Sequence, residues 1–135
     1  MKTYILYGSP NDMDFMKPGK AYFTENNIEF EELVLSVHRN TDELLAWLKA
    51  FQASGEKAVI IAVAGLSAAL PGFVAVKVDV PVIGVPVPCG PLNGVDALLS
   101  MVQCPGGVAL GSVGLHKKAP LNAAMYAHKI LAMAQ

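Results

Sequence analysis

Apolar and polar positions along this chain alternate between two kinds of pattern. Five stretches read as strands. Residues 3–7, TYILY, stop at Gly8, and residues 28–35, IEFEELVL, alternate weakly between apolar and polar. Residues 58–63, AVIIAV, are apolar without interruption, as in a strand covered on both faces of a parallel sheet. Residues 80–87, VPVIGVPV, carry prolines at their margins, which predicts an edge strand or a strand end. Residues 106–113, GGVALGSV, predict a fifth strand.

Helical spacing fills the gaps. Residues 41–52 set Leu44, Leu45, Trp47, Leu48 and Phe51 on one face. Asn40 and Glu43 have the spacing of a capping box at its start. Residues 92–103 repeat the pattern with Leu92, Val95, Leu98, Leu99 and Val102. Residues 119–134 are apolar nearly all round, which predicts burial on both sides and hence packing against another subunit. After the first strand, Pro18 and Gly19 predict a helix that is kinked there or that begins at Pro18.

Strands alternating with helices predict a single α/β domain over residues 1–135, with a parallel sheet and right-handed crossovers. In such a sheet ligands bind beyond the carboxyl ends of the strands. That rule selects four loops: 8–12, 36–40, 64–69 and 87–93.

Composition narrows the class. The chain is 53% hydrophobic and 16% charged, against roughly 25% charged in an average globular chain. So little charge leaves apolar surface for other subunits to cover, so a homo-oligomer is expected. A net charge of −1 with no basic block argues against nucleic acid and against a polybasic membrane anchor. Residues 58–76 carry no charge, but Gly65, Ser67, Pro71 and Gly72 interrupt them. They read as a buried strand and a buried helix rather than a membrane span. The first residues turn polar at once, so a cytoplasmic location is expected. Cys89 and Cys104 have no metal or CxxC spacing and read as reduced thiols.

Three of the four loops carry candidate chemistry. In GSPND, Ser9 and Asn11 offer short hydrogen-bonding side chains, and Asp12 can hold a ribose hydroxyl pair. The plain alternative is a turn that caps a helix. In SVHRN, Ser36, His38 and Arg39 share the rim with Ser9 and Asp12. Arg39 is the only arginine of the chain, and its planar fork suits a phosphate. His38 can exchange a proton near neutral pH. Singly, these are ordinary rim side chains; together they favour a phosphorylated small molecule and a proton-transfer step. In AVAGLSAALPG (62–72), Ala64, Gly65 and Ser67 let a planar ligand approach the backbone. Close strand–helix packing would use the same residues. There is no GxGxxG and no GKT or GKS. Three dispersed histidines without a carboxylate cluster predict no metal site. Cys89 lies in a rim loop, either as a thiol in the site or as a small packing residue.

These motifs, in this order, resemble the N5-carboxyaminoimidazole ribonucleotide mutases of purine biosynthesis and their relatives, the 5-aminoimidazole ribonucleotide carboxylases. GSPND is similar to that family's GSxSD, SVHRNTDEL to SAHRTPDxL, and PVIGVPV to PVxGVPV. The similarity covers nearly the whole chain. It implies a flavodoxin-like three-layer α/β/α sandwich around a central parallel sheet, in a homo-octamer. It also implies carboxyl transfer on an aminoimidazole ribonucleotide, with no metal or organic cofactor. By position, Ser9, Ser36 and Arg39 would hold the 5′-phosphate, Asp12 the ribose, and His38 would shuttle the proton.

One loop departs. The mutase pattern AGAGGAAHLPG has glycine, glycine, alanine and histidine where this chain has Val63, Leu66, Ser67 and Ala69. The pattern AGRSNALSG, of carboxylases that use free carbon dioxide, agrees at Ala64, Gly65, Ser67, Ala69, Leu70 and Gly72, with Leu66 in place of its arginine. Alternatives to the mutase are therefore a direct CO2-dependent carboxylase, a diverged paralogue that carboxylates another nucleotide, and a non-catalytic nucleotide-binding protein.

Overall fold

A computed structural model describes residues 1–135. Five parallel strands form one sheet: β1 (Lys2–Tyr7), β2 (Phe30–Val34), β3 (Ala58–Gly65), β4 (Val82–Val87) and β5 (Gly111–Ser112), in the spatial order β2-β1-β3-β4-β5. Five helices connect and follow them: α1 (Lys17–Glu25), α2 (Thr41–Ser54), α3 (Leu70–Ala75), α4 (Val95–Val102) and α5 (Ala119–Met133).

The core follows from strand alternation. Successive side chains point to opposite faces of the sheet. On one face, Tyr4 and Leu6 of β1 and Ile60, Ala62 and Ala64 of β3 meet Leu44, Leu48, Phe51, Leu70, Val74 and Met101 of α2, α3 and α4. On the other, Ile5, Tyr7, Val59, Ile61 and Val63 meet Phe23 of α1 and Ala123, Ala124, Ala127 and Leu131 of α5. The result is the predicted three-layer sandwich. The tip of α2 is locked by an aromatic cluster, with Trp47 stacked on Phe51 at 5.3 Å and Tyr4 edge-on to both.

Several local expectations change. The first helix begins at Lys17 with Pro18 in its first turn, after two 3-10 turns at Pro10–Asp12 and Asp14–Met16. Gly19 is needed there for packing: a Cβ would lie 2.6 Å from the Pro120 carbonyl oxygen of α5. β4 is not an edge strand, since β5 pairs with its Ile83 and Gly84. Because β5 is two residues long, Pro86 lies past it and its missing N–H costs no ladder bond there. Residues 106–110 stay outside the sheet.

The last two helices bury less than their composition implies. α4 turns Ala97 and Met101 inward, while Leu92, Val95, Leu99 and Val102 are about half exposed. α5 buries one face, and Met125 and Tyr126 on the other remain exposed. The chain has no further layer to cover them.

Because β3 is enclosed from both sides, a cavity within it has little room to collapse. Ile61→Ala should cost about 2–5 kcal/mol of stability. Urea unfolding should show a lower midpoint with an unchanged slope; an unchanged midpoint would mean that β3 is not the tightly packed centre.

Candidate active site

The carboxyl ends of four strands lie side by side, and their backbones are tied together. Leu35 N–H donates to the Tyr7 carbonyl at 3.0 Å, joining the ends of β2 and β1. Gly8 N–H donates to the Val63 carbonyl at 2.9 Å, joining β1 to β3. The rim therefore runs from the loop after β2, through those after β1 and β3, to the loop after β4. It spans three strand spacings, about 14 Å at the usual separation.

After β1, Ser9 is extended and its Oγ accepts the Asn11 N–H at 3.3 Å, capping the 3-10 turn. Asn11 is exposed, whereas Asp12 is buried. Burial raises the Asp12 carboxyl above its usual range. The capping role considered for this segment is thus real, and it coexists with a position on the rim.

The loop after β2 is built around Ser36, which is buried. Its Oγ accepts the N–H of His38 at 3.2 Å and of Arg39 at 3.1 Å. Asn40 N–H donates to the Ser36 carbonyl at 2.9 Å, and Asn40 Oδ1 accepts the Ser36 N–H at 3.4 Å. The Asn40–Glu43 capping box is not formed, because the Asn40 side chain is turned back into this loop. The closed turn leaves His38 and Arg39 exposed at its tip. Arg39 makes no ion pair, in contrast to Lys2, Lys17 and Lys20. Both site serines accept from their own loops, yet each hydroxyl proton is still available to donate.

At the end of β3, Ala64 is buried and Gly65 is half-buried; just beyond it Ser67 is exposed. Leu66 has φ +56°, a conformation that costs a non-glycine residue about 1–2 kcal/mol. The Cys89 sulfur lies against Gly65, where a Cβ would sit 2.6 Å from it. The thiol thus serves as the small packing residue considered above.

Composition and spacing did not point to a network beneath the rim. Tyr7 is fully buried, and its hydroxyl donates to Glu32 Oε1 at 2.7 Å. Lys20 Nζ donates to the same oxygen at 3.0 Å. Burial first, then the Glu32 hydrogen bond, pushes the Tyr7 phenol well up. The network ties α1 to β2. The other two histidines lie elsewhere: the His116 Nδ1 accepts the Lys118 N–H, and His128 Nδ1 is 2.8 Å from the Tyr22 hydroxyl between α5 and α1. No three His, Cys, Asp or Glu side chains gather into a cluster.

The family model described as AIR carboxylase matches residues 2–135. The chain belongs to that family. It is 42% identical over 127 residues to the N5-carboxyaminoimidazole ribonucleotide mutase of Bacillus subtilis, covering 94% of this chain and 78% of the relative. The Escherichia coli mutase is 41% identical over 131 residues, covering 97% and 77%. A crystal structure of a Treponema denticola PurE2 variant superposes with a TM-score of 0.87 at 28% identity, covering all of this chain and 83% of that one. The flavodoxin-like arrangement expected from the motifs is the fold of these relatives. No helix here is long and apolar enough to cross a membrane.

Asp12 gives a pH test. Its raised folded-state pKa means that its contribution to stability is fully present below the unfolded value, near ~3.9, and is lost as pH rises through the folded value. Asp12→Asn removes the buried charge. The variant should melt higher than the parent at neutral pH, with the gap closing below about pH 4. A gap that persists at acid pH would assign the effect to packing instead.

Proposed function

We propose that this chain transfers a carboxyl group on an aminoimidazole ribonucleotide in de novo purine biosynthesis. The reaction converts N5-carboxyaminoimidazole ribonucleotide to 4-carboxy-5-aminoimidazole ribonucleotide. The observation that carries this reading is 42% identity to a mutase along 94% of the chain, with its serine, histidine and arginine motifs on one rim.

Each rim group has a part. Arg39, exposed and unpaired, offers two parallel hydrogen bonds to the 5′-phosphate. Ser9 and Ser36 donate their hydroxyl protons to the same group. Asp12 accepts from the ribose hydroxyls, and Asn11 flanks it. Ala64, Gly65 and Ser67 form the floor and edge that a flat ring approaches. His38, beside the phosphate anchor, gives a proton to the departing amine nitrogen and takes one from the ring carbon. In this reading the reaction draws on no organic cofactor or metal.

The reading extends to a cytoplasmic homo-oligomer, an octamer by family resemblance. The half-exposed stripe of Leu92, Val95, Leu99 and Val102 supports assembly, because a lone chain gains nothing by leaving it in water. Ser67 and Ala69 support a second reading, direct use of carbon dioxide, since they match the corresponding carboxylase pattern.

Purified protein given N5-carboxyaminoimidazole ribonucleotide should form the C-carboxylated product. Absence of conversion above the uncatalysed rate would reject carboxyl transfer; product formed only from 5-aminoimidazole ribonucleotide with dissolved carbon dioxide would select the direct carboxylase. His38→Asn should lower turnover by at least ~100-fold while substrate binding stays within a few-fold. Surviving turnover would remove His38 from the proton transfer. Sedimentation should give a mass near eight times 14.3 kDa; a 14.3 kDa species at micromolar concentration would reject the oligomer.

A further inference from the structure

The far end of the rim, away from Arg39, carries a strained side chain. Leu66 adopts φ +56° yet is 52% exposed, so its own burial does not account for the conformation. Glycine takes this conformation freely, and asparagine tolerates it. A leucine that accepts the strain therefore has its reason in the side chain. Strain of this kind concentrates at functional sites.

What the side chain touches indicates its role. Leu66 Cδ2 lies over Gly90, where a Cβ would come within 2.5 Å of it. One residue earlier in each loop, the Cys89 sulfur packs on Gly65 in the same manner. Two contacts, each with a glycine on one side, thus close the loop after β3 onto the loop after β4. They make an apolar corner between the ends of β3 and β4, one to two strands beyond β1 and two to three beyond β2. In the proposed reading, with the phosphate at Arg39, the ring and its carboxyl group would extend along the rim toward this corner.

We propose that Leu66 is a positioning residue that shields the carboxyl group from water during transfer. This rests on the carboxyl-transfer reading. In that reaction the N–C bond of the carbamate breaks, carbon dioxide departs, and the electron pair stays on nitrogen, which takes a proton from His38. The ring carbon then gives an electron pair to carbon dioxide, forming the new C–C bond, and its proton returns to His38. No oxidant or further reactant is needed. Between the two bond changes carbon dioxide is a small neutral molecule held by no charge. An apolar wall retains it and denies water a place to stand. Half-exposed at the open mouth, Leu66 can cover a bound ligand while leaving the phosphate end untouched.

The measurement is the partition of each turnover between carboxylated product and free aminoimidazole ribonucleotide. Leu66→Gly and Leu66→Asn both suit the backbone, so both should fold and melt at or above the parent temperature. Each should leak several-fold more free ribonucleotide, with kcat down about tenfold and KM within about threefold. Leu66→Met, which keeps an apolar side chain, should restore most of the coupling. Unchanged partition in both Leu66→Gly and Leu66→Asn, with a parent enzyme that turns over, overturns the role of Leu66 alone. A parent that forms no product overturns the reaction and this inference together.

Discussion

Burial of β3 on both faces is the constraint from which the rest of the molecule follows. Residues from Ala58 to Ala64 are nearly solvent-free, and the strand pairs with β1 on one side and β4 on the other. No polar side chain can stand in such a strand without losing its water, so chemistry is confined to where the strand ends. Helices must cover both faces, which produces the three layers. Because those helices are the crossovers between successive strands, the neighbours run parallel to it, which brings four loops to one edge.

That edge is polar at one end and apolar at the other. The β2 and β1 loops supply an arginine, a histidine, two serines and an aspartate. The β3 and β4 loops supply a leucine, a cysteine and glycines pressed together. A ribonucleotide has the same polarity, with a charged phosphate at one end and a flat ring at the other. Carboxyl transfer needs both properties at once: a firm grip on the charged end and a dry space at the reacting one.

Much of this was legible in the linear pattern because it depends on local rules. AVIIAV announces a doubly covered strand, and the strand ends then point to the loops that hold Ser9, Ser36, His38 and Arg39. The helices were less legible where they are apolar on two sides. In α4 the apolar residues Val95, Leu99 and Val102 face out, whereas Ala97 and Met101 meet the sheet. Spacing alone could not choose between those faces. The left-handed turn at Leu66, the Cys89–Gly65 contact and the Tyr7–Glu32–Lys20 network join residues far apart in the chain or depend on backbone torsion. None of them has a short-range signature. Asn40 matched a capping signature, but the neighbouring loop drew its side chain away.

The two serines show how a loop can set the preference of a site without adding a charge. A free hydroxyl is ambidextrous: it gives one hydrogen bond and receives others. Ser9 and Ser36 already receive backbone N–H groups from their own turns. Ser36, which receives two, is left toward a ligand as a giver only, whereas Ser9, which receives one, keeps an acceptor position. The Ser36 hydroxyl can thus give to a ligand oxygen but cannot receive the proton of one. If a phosphate sits there, as in the proposed reading, the orientation of its oxygens is constrained by a neutral group, because a P–OH turned toward Ser36 would find no acceptor.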